Sequence, residues 1–389
     1  MGFVVSAFRT LFPAHVRPQA RTLDWLCAAH TRAELTRAAA ENRSVEESRV
    51  YAQIRAALKR FGCTDENVTH RAYELDDCEH TRWEEMEVYR LHENAHGAGT
   101  LARTQAFERV ARDAFERLHE PSATPPSDLL HVTCTGYASP SPAQRLVARR
   151  GWGNSTRVTH VYHMGCYAAL PALRLACGAR SALPPQAGAE ARSEVVHTEV
   201  CSLHLDPSKH GPEQLVIHSL FADGFIAYDV TNEPAKLGAP GLEVIGQLER
   251  TLSQSEAAMT WRCSDWGMQM TLARDVPERL GTALAPFVTE LVERAGIAQP
   301  AAREARYAVH PGGPRILDRV QTVLRLDGTQ LAHSRKVLRE RGNMSSATLP
   351  HVWMEMATDT GVLPGVPIVS LAFGPGLTLC GAVFRKVAP

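Results

Sequence analysis

The chain has 389 residues, with 42 basic and 42 acidic side chains, so its formal net charge is zero. That length buries a large core and normally makes two domains or two fused halves. The balanced charge offers no footprint for nucleic acid or an anionic membrane surface. The nine cysteines are scattered, odd in number and without metal-type pairing, so they read as free thiols of a reducing cytoplasm, the expected location. The N-terminal Met-Gly-Phe-Val-Val-Ser-Ala-Phe is apolar without a basic leader and reads as a first strand. No apolar run approaches the roughly 20 residues that a membrane span needs.

Apolar residues at helical spacing predict helices over 24–40 and 45–61, with Gly62-Cys-Thr-Asp-Glu-Asn67 as the break after them. Residues 84–118 read as one or two further helices interrupted by Gly97 and Gly99. They contain His92-Glu-Asn-Ala-His96, a literal His-Glu-x-x-His. On a helix that pattern sets two imidazoles on one face for zinc, with Glu93 as general base. Ala102 stands where a third histidine would follow, Glu116 is only a distant substitute ligand, and the two glycines weaken the helix. A solvated helical face is the better reading. A Pro-rich connection at 121–128 leads to a strand over 129–135, a helix over 142–150, a strand over 158–162 and a helix over 167–177 capped by Gly178. This alternation predicts an α/β fold with a largely parallel core.

Strands are predicted over 194–204 and 214–228, the second broken at Asp223-Gly224. The turn-rich stretch 232–241 is the candidate boundary between an N-terminal half, 1–232, and a C-terminal half, 233–389. Beyond it the pattern predicts strands near 242–248 and 258–262, a helix over 277–295, and a strand over 306–310. Helices over 314–325 and 346–358 and strands over 366–373 and 378–386 complete the chain.

Three stretches carry candidate chemistry. In the first, an apolar strand runs through Gly165 into Cys166 at the start of a helix. A thiol there faces free backbone N–H groups and the positive end of the helix dipole, and both favour thiolate. In the second, His310 ends a short strand and enters the stiff Pro311-Gly-Gly-Pro314 loop, where Gly312 and Gly313 let backbone approach a substrate. The third is Gly342-Asn-Met-Ser-Ser-Ala347, with Asn343 in a turn. Cys, His and Asn together suit acyl-thioester chemistry: the thiolate attacks, and imidazole and amide N–H groups hold the oxyanion.

With Leu220-Phe-Ala-Asp-Gly224 and Gly374-Pro-Gly-Leu-Thr378, these motifs resemble, in order and rough spacing, the type III polyketide synthases, chalcone-synthase-like ketosynthases of the thiolase superfamily. The resemblance implies a five-layered αβαβα fold built from two pseudo-dyad-related halves. The first half would carry the nucleophile Cys166, and the second His310 and Asn343. It also implies a homodimer, acyl thioesters as substrates, and no metal or redox cofactor. His310 is expected to pair with the Cys166 thiolate.

Alignment within the family places Phe221 as one aromatic gatekeeper and Met270, a flexible thioether, at the second gatekeeper position. Cys134, Cys201 and His204 fall on pocket-wall positions, and Ser345 on a residue tied to cyclisation geometry. Near the expected entrance Lys59 and Arg60 remain, but Asp65 and Glu66 are acidic where a base is usual for coenzyme A. That exchange favours carrier-protein thioesters. The chain is thereby similar to the myxobacterial ketosynthases that join two β-ketoacyl chains into the α-pyrones of myxopyronin and corallopyronin. The alternative is an iterative synthase extending fatty acyl-CoA with malonyl-CoA to alkylpyrones or alkylresorcinols.

Overall fold

A computed structural model describes residues 2–232, 240–298 and 304–387. The expected boundary at 232–241 falls mostly outside the described residues. One nine-stranded mixed sheet forms the backbone of the fold, in the order β11-β12-β13-β8-β1-β7-β6-β4-β5. Its strands are β1 Phe3–Leu11, β4 Pro126–Thr133, β5 Arg157–Tyr162, β6 Glu190–Glu199, β7 Gly224–Thr231, β8 Gly241–Thr251, β11 Arg306–Val309, β12 Pro367–Gly374 and β13 Thr378–Val387. The pairing repeats. Along β4-β6-β7-β1 the signs are parallel, antiparallel, antiparallel, and along β11-β12-β13-β8 they are the same. The two runs meet where β1 pairs β8 antiparallel.

Two small antiparallel pairs lie outside that sheet. They are β2 His15–Pro18 with β3 His70–Tyr73, and β9 Met259–Ser264 with β10 Gly267–Leu272. The helices Ala169–Ala182 and Thr348–Thr358 share one apolar cluster, and each contacts strands from both runs of the sheet. At the heart of that cluster Trp353 packs its ring 5.8 Å from Tyr228 of β7 and 5.2 Å from Phe384 of β13. Its indole N–H donates to Ser370 Oγ at 2.8 Å, so the buried polar atom is satisfied. The helix Val276–Arg294 covers the C-terminal run, and Thr100–Leu118 covers the N-terminal one. Helices therefore lie both between and outside the sheet runs, the layered thiolase-like arrangement that the motifs imply.

Several elements differ from the sequence reading. The core is mixed and mostly antiparallel, not largely parallel, because each half closes with two antiparallel strands. Residues 84–99 are not helical: a short 3₁₀ turn at Trp83–Glu85 gives way to turns, and the helix starts at Thr100. His92 and His96 therefore do not share a helix face. His96 Nδ1 instead bonds Asp206 Oδ1 at 3.0 Å and its ring stacks on Trp266. Among the described residues no three His, Cys, Asp or Glu side chains converge as metal ligands. Gly178 lies inside the helix Ala169–Ala182 and does not cap it.

The strand expected over 214–228 is a helix, Pro212–Leu220, followed by β7. The short apolar run Leu-Val-Ile-His-Ser-Leu fits either state, and Pro212 in the first turn favours the helix. Residues 200–204, expected to be strand, form a 3₁₀ turn at Cys201–His204. The strand β10 and the helix Ala332–Arg341 were not expected. Among the described residues no helix is long and apolar enough to cross a membrane.

Candidate active site

Cys166 lies in the turn between β5 and the helix Ala169–Ala182. Gly165 makes that turn possible. Its φ is 81°, and a Cβ there would stand 2.7 Å from Cδ of Pro375, so a side chain is excluded by conformation and by space. Asn343 is sewn beside this turn by its backbone. Its N–H donates to Leu220 O at 3.0 Å, and its carbonyl accepts from Ala222 N at 2.8 Å. Its side-chain oxygen accepts from Ser345 N at 2.9 Å and Thr348 Oγ1 at 3.3 Å. With the oxygen occupied, the amide NH₂ is the end left to donate. Ser345 holds a left-handed φ of 49°, an uncommon and strained conformation for serine. The Ser345 and Asn343 side chains lie near the Cys166 thiol and favour its ionised form.

The electrostatics correct the expectation of a thiolate. Burial pushes the Cys166 thiol up to about 12, and the Glu199 carboxylate adds to the rise. The Ser345 and Asn343 side chains oppose it without cancelling it. Burial likewise holds His310 down to about 3. Both groups are therefore neutral near pH 7, and desolvation outweighs the helix dipole. Both His310 ring nitrogens are buried without a hydrogen-bond partner among the described residues, so the expected pairing with Cys166 is not formed. Leaving such a group unpaired costs about 1–3 kcal/mol. Its backbone N–H is tied to Leu371 O on β12 at 2.7 Å, the strand that runs on to Pro375 beside Gly165.

Glu199 is a residue that the sequence reading missed. It ends β6, fully buried, and accepts from Cys134 N and Thr135 Oγ1, each at 3.0 Å, and from the Ser346 hydroxyl. The signal was a carboxylate inside the predicted strand 194–204, a placement that requires partners once the strand is buried.

Cys166 lines a cavity. Of the expected pocket residues, Cys134, Cys201, His204, Phe221, Met270 and Ser345 line it. Gly312 and Gly313 do not. They shape the His310 loop, Gly313 through its φ of 143°. Nor do His310 and Asn343 line the cavity. The unexpected β9–β10 hairpin supplies a wall of Met259, Trp261, Met268 and Met270. Trp261 Nε1 donates to Cys134 O at 2.8 Å and anchors that hairpin over the cavity.

Residues 89–234 match the N-terminal domain of the chalcone and stilbene synthases, and residues 243–388 match their C-terminal domain. The chain is 30% identical to type III polyketide synthase C of Arabidopsis thaliana, over 67% of each protein. It is 29% identical to the 1,3,6,8-tetrahydroxynaphthalene synthase of Streptomyces coelicolor, over 84% of this chain and 82% of that one. A 33% match to probable polyketide synthase 1 of Dictyostelium discoideum covers 67% of this chain but only 8% of that much longer protein. In fold it is similar to the C-terminal type III polyketide synthase domain of Steely1, a type I/III hybrid from Dictyostelium. That likeness has a TM-score of 0.81 at 24% identity over the whole of both chains. PKS-I from the brown alga Ectocarpus siliculosus superposes with a TM-score of 0.82 at 19% identity, over 99% of this chain and 98% of that one. The chain therefore belongs to the chalcone and stilbene synthase family, the acyl-transferring enzymes known as type III polyketide synthases.

Proposed function

We propose that this enzyme loads an acyl group on Cys166 and joins it to a second β-ketoacyl thioester by Claisen-type condensation, closing an α-pyrone of the antibiotic class. The observation that carries the reading is the cavity. A buried thiol beside the Asn343 amide opens into a cavity walled by Met259, Met268, Met270, Leu205 and Ile217 together with Phe221 and Trp261. Methionine walls adapt to a flexible acyl chain better than flat aromatic ones.

Cys166 Sγ attacks the thioester carbonyl while its proton passes to His310, and the carrier thiolate leaves with that proton. His310 and Asn343 then hold the carbonyl oxygen of the second thioester as negative charge develops there. His310 takes the C2 proton of the second thioester, the C2 carbanion attacks the acyl carbonyl and expels the Cys166 sulfur, and that sulfur takes the proton back from His310. The enol oxygen of the joined chain closes on the remaining thioester, releasing the second carrier thiol and the pyrone. Asp65 and Glu66 are both exposed, and their charge supports a carrier protein as donor. A homodimer and a cytoplasmic location belong to the same proposal.

The second reading is iterative extension of a fatty acyl-CoA with malonyl-CoA to alkylpyrones or alkylresorcinols. Incubating the enzyme with β-ketoacyl thioesters, with and without ¹⁴C-carboxyl malonyl-CoA, separates the two. The leading proposal predicts pyrone without malonyl-CoA and no labelled CO₂. Product only with malonyl-CoA, one CO₂ per extension, would replace it with the second reading.

A further inference from the structure

Three histidines that the proposed chemistry does not use stand in line behind one wall of the cavity. His30 comes from the helix Gln19–Ala40, His218 from the helix Pro212–Leu220, and His210 from the segment just ahead of that helix. His218 Nε2 lies 3.2 Å from the Asp206 backbone N–H. His218 Nδ1 lies 3.1 Å from His30 Nε2, and His30 Nδ1 lies 3.0 Å from His210 Nδ1. His210 Nε2 ends the line 3.3 Å from the Glu34 carboxylate. The other end of the line carries Leu205 and Asp206, both of which line the cavity.

One group fixes every proton in this line. The Asp206 amide can only donate, so His218 Nε2 accepts. Neutral His218 then carries its hydrogen on Nδ1 and donates to His30 Nε2. His30 donates from Nδ1 to His210 Nδ1, and His210 donates from Nε2 to Glu34. Four contacts are served by four protons, one from the amide and one from each ring. A fifth proton leaves two donors facing each other at one contact, wherever it settles. Nitrogens 3.0 Å apart share a proton, and a line of pairs offers no common point for a metal.

We propose that His30, His210 and His218 are positioning residues, a one-way, all-neutral chain that holds the Leu205 and Asp206 wall of the acyl cavity and lets it go on uptake of a single proton. The surroundings are charged at both ends and neutral in the middle. Glu34, with Arg37 and Arg43 on it, faces His210. Asp206 with His96 and Lys209 faces His218, and the Arg71 guanidinium bonds the His218 carbonyl at 2.7 Å. His30 in the middle is fully buried, and burial together with its two imidazole neighbours holds it well below the ordinary histidine range. The chain therefore stays neutral at pH 7 and fails on acidification.

The link to acyl binding rests on the proposed function; the chain itself does not, and its test needs no substrate. NMR of the full-length protein labelled with ¹⁵N-histidine reads the tautomers. At pH 7.5 His218 and His30 should be protonated on Nδ1 and His210 on Nε2; a proton on Nε2 of His218 would overturn the proposal. Hydrogen exchange of the peptide containing Asp206, corrected for intrinsic rate, should lose protection by up to about tenfold per pH unit as pH falls from about 6.5, the ordinary histidine value, towards about 4, where His218 in the folded chain takes up a proton itself. A peptide from β12 serves as the control for global unfolding. In His218→Gln the amide oxygen still accepts from Asp206 but that side chain takes up no proton, so the loss of protection at Asp206 on acidification should be smaller than in wild type. Equal protection of Asp206 in wild type at pH 7.5 and 4.5 would also overturn it. If the variant does not fold, the wild-type tautomers decide the matter alone.

Discussion

At the scale of single residues, the nucleophile is set by burial against its polar neighbours. Cys166 is protonated at rest because desolvation and Glu199 outweigh the Ser345 and Asn343 side chains. The rate of iodoacetamide alkylation at Cys166 should therefore rise about tenfold per unit from pH 6 to pH 9, since the thiolate fraction does so below the pKa. A flat profile over that range would show a preformed thiolate–imidazolium pair instead. Glu199→Gln removes a negative charge that raises the thiol, so it should lower the pKa and speed alkylation at pH 7. A slower reaction would mean that the carboxylate acts mainly by holding Cys134 and Ser346 in place. Cys166, His310 and Asn343 stand out in the sequence because each sits in a short motif with its own glycine or proline. Their charge states were not, because they depend on burial and on Glu199, which is brought in from another strand.

At the scale of elements, the wall of the cavity was the hardest part to read. Met270 lines the cavity, but of the β9–β10 hairpin that carries it the sequence pattern shows only the first strand. Residues 267–272 alternate weakly and carry no turn signal stronger than Gly267. The helix Pro212–Leu220 reads as a strand in the sequence because so short a run does not reveal its period. The reverse holds for β12 and β13, whose continuous apolar runs read as buried strands and are buried strands. If the hairpin sets the room for the acyl chain, Met270→Trp should cut loading by a twelve-carbon thioester at least about tenfold while leaving acetyl loading near wild type. Equal loss of both would show that the substitution disturbs the Cys166 turn and not the chain-length limit.

At the scale of the whole molecule, the unusual load is buried histidine. Burial holds His197, His204, His310 and His351 down to about 3, His218 to about 4, and His30 and His131 well below the ordinary value. Each binds a proton in the unfolded chain near pH 5 but not in the folded one. Each therefore contributes stability that is lost as pH falls below about 6.5. Asp223, raised by burial to about 7, Asp229, raised to about 6, and Glu199, also raised, act in the opposite sense. The histidines outnumber them. The urea midpoint should drop between pH 7.5 and pH 5; a higher midpoint at pH 5 would show that the buried acids dominate. The repeated pairing on either side of the β1–β8 seam was not visible in the letters, because sheet order is a long-range property that the two halves encode with different residues.

The acyl-enzyme on Cys166 is the centre of the account, and intact-protein mass spectrometry tests it most directly. The enzyme and its Cys166→Ala variant would each be mixed with acyl-CoA and acyl-carrier thioesters of increasing chain length. The account predicts a mass gain of one acyl group on the wild type, retained on the peptide containing Cys166 and absent from the variant. An adduct that survives in the variant, or no adduct with any thioester, would contradict it.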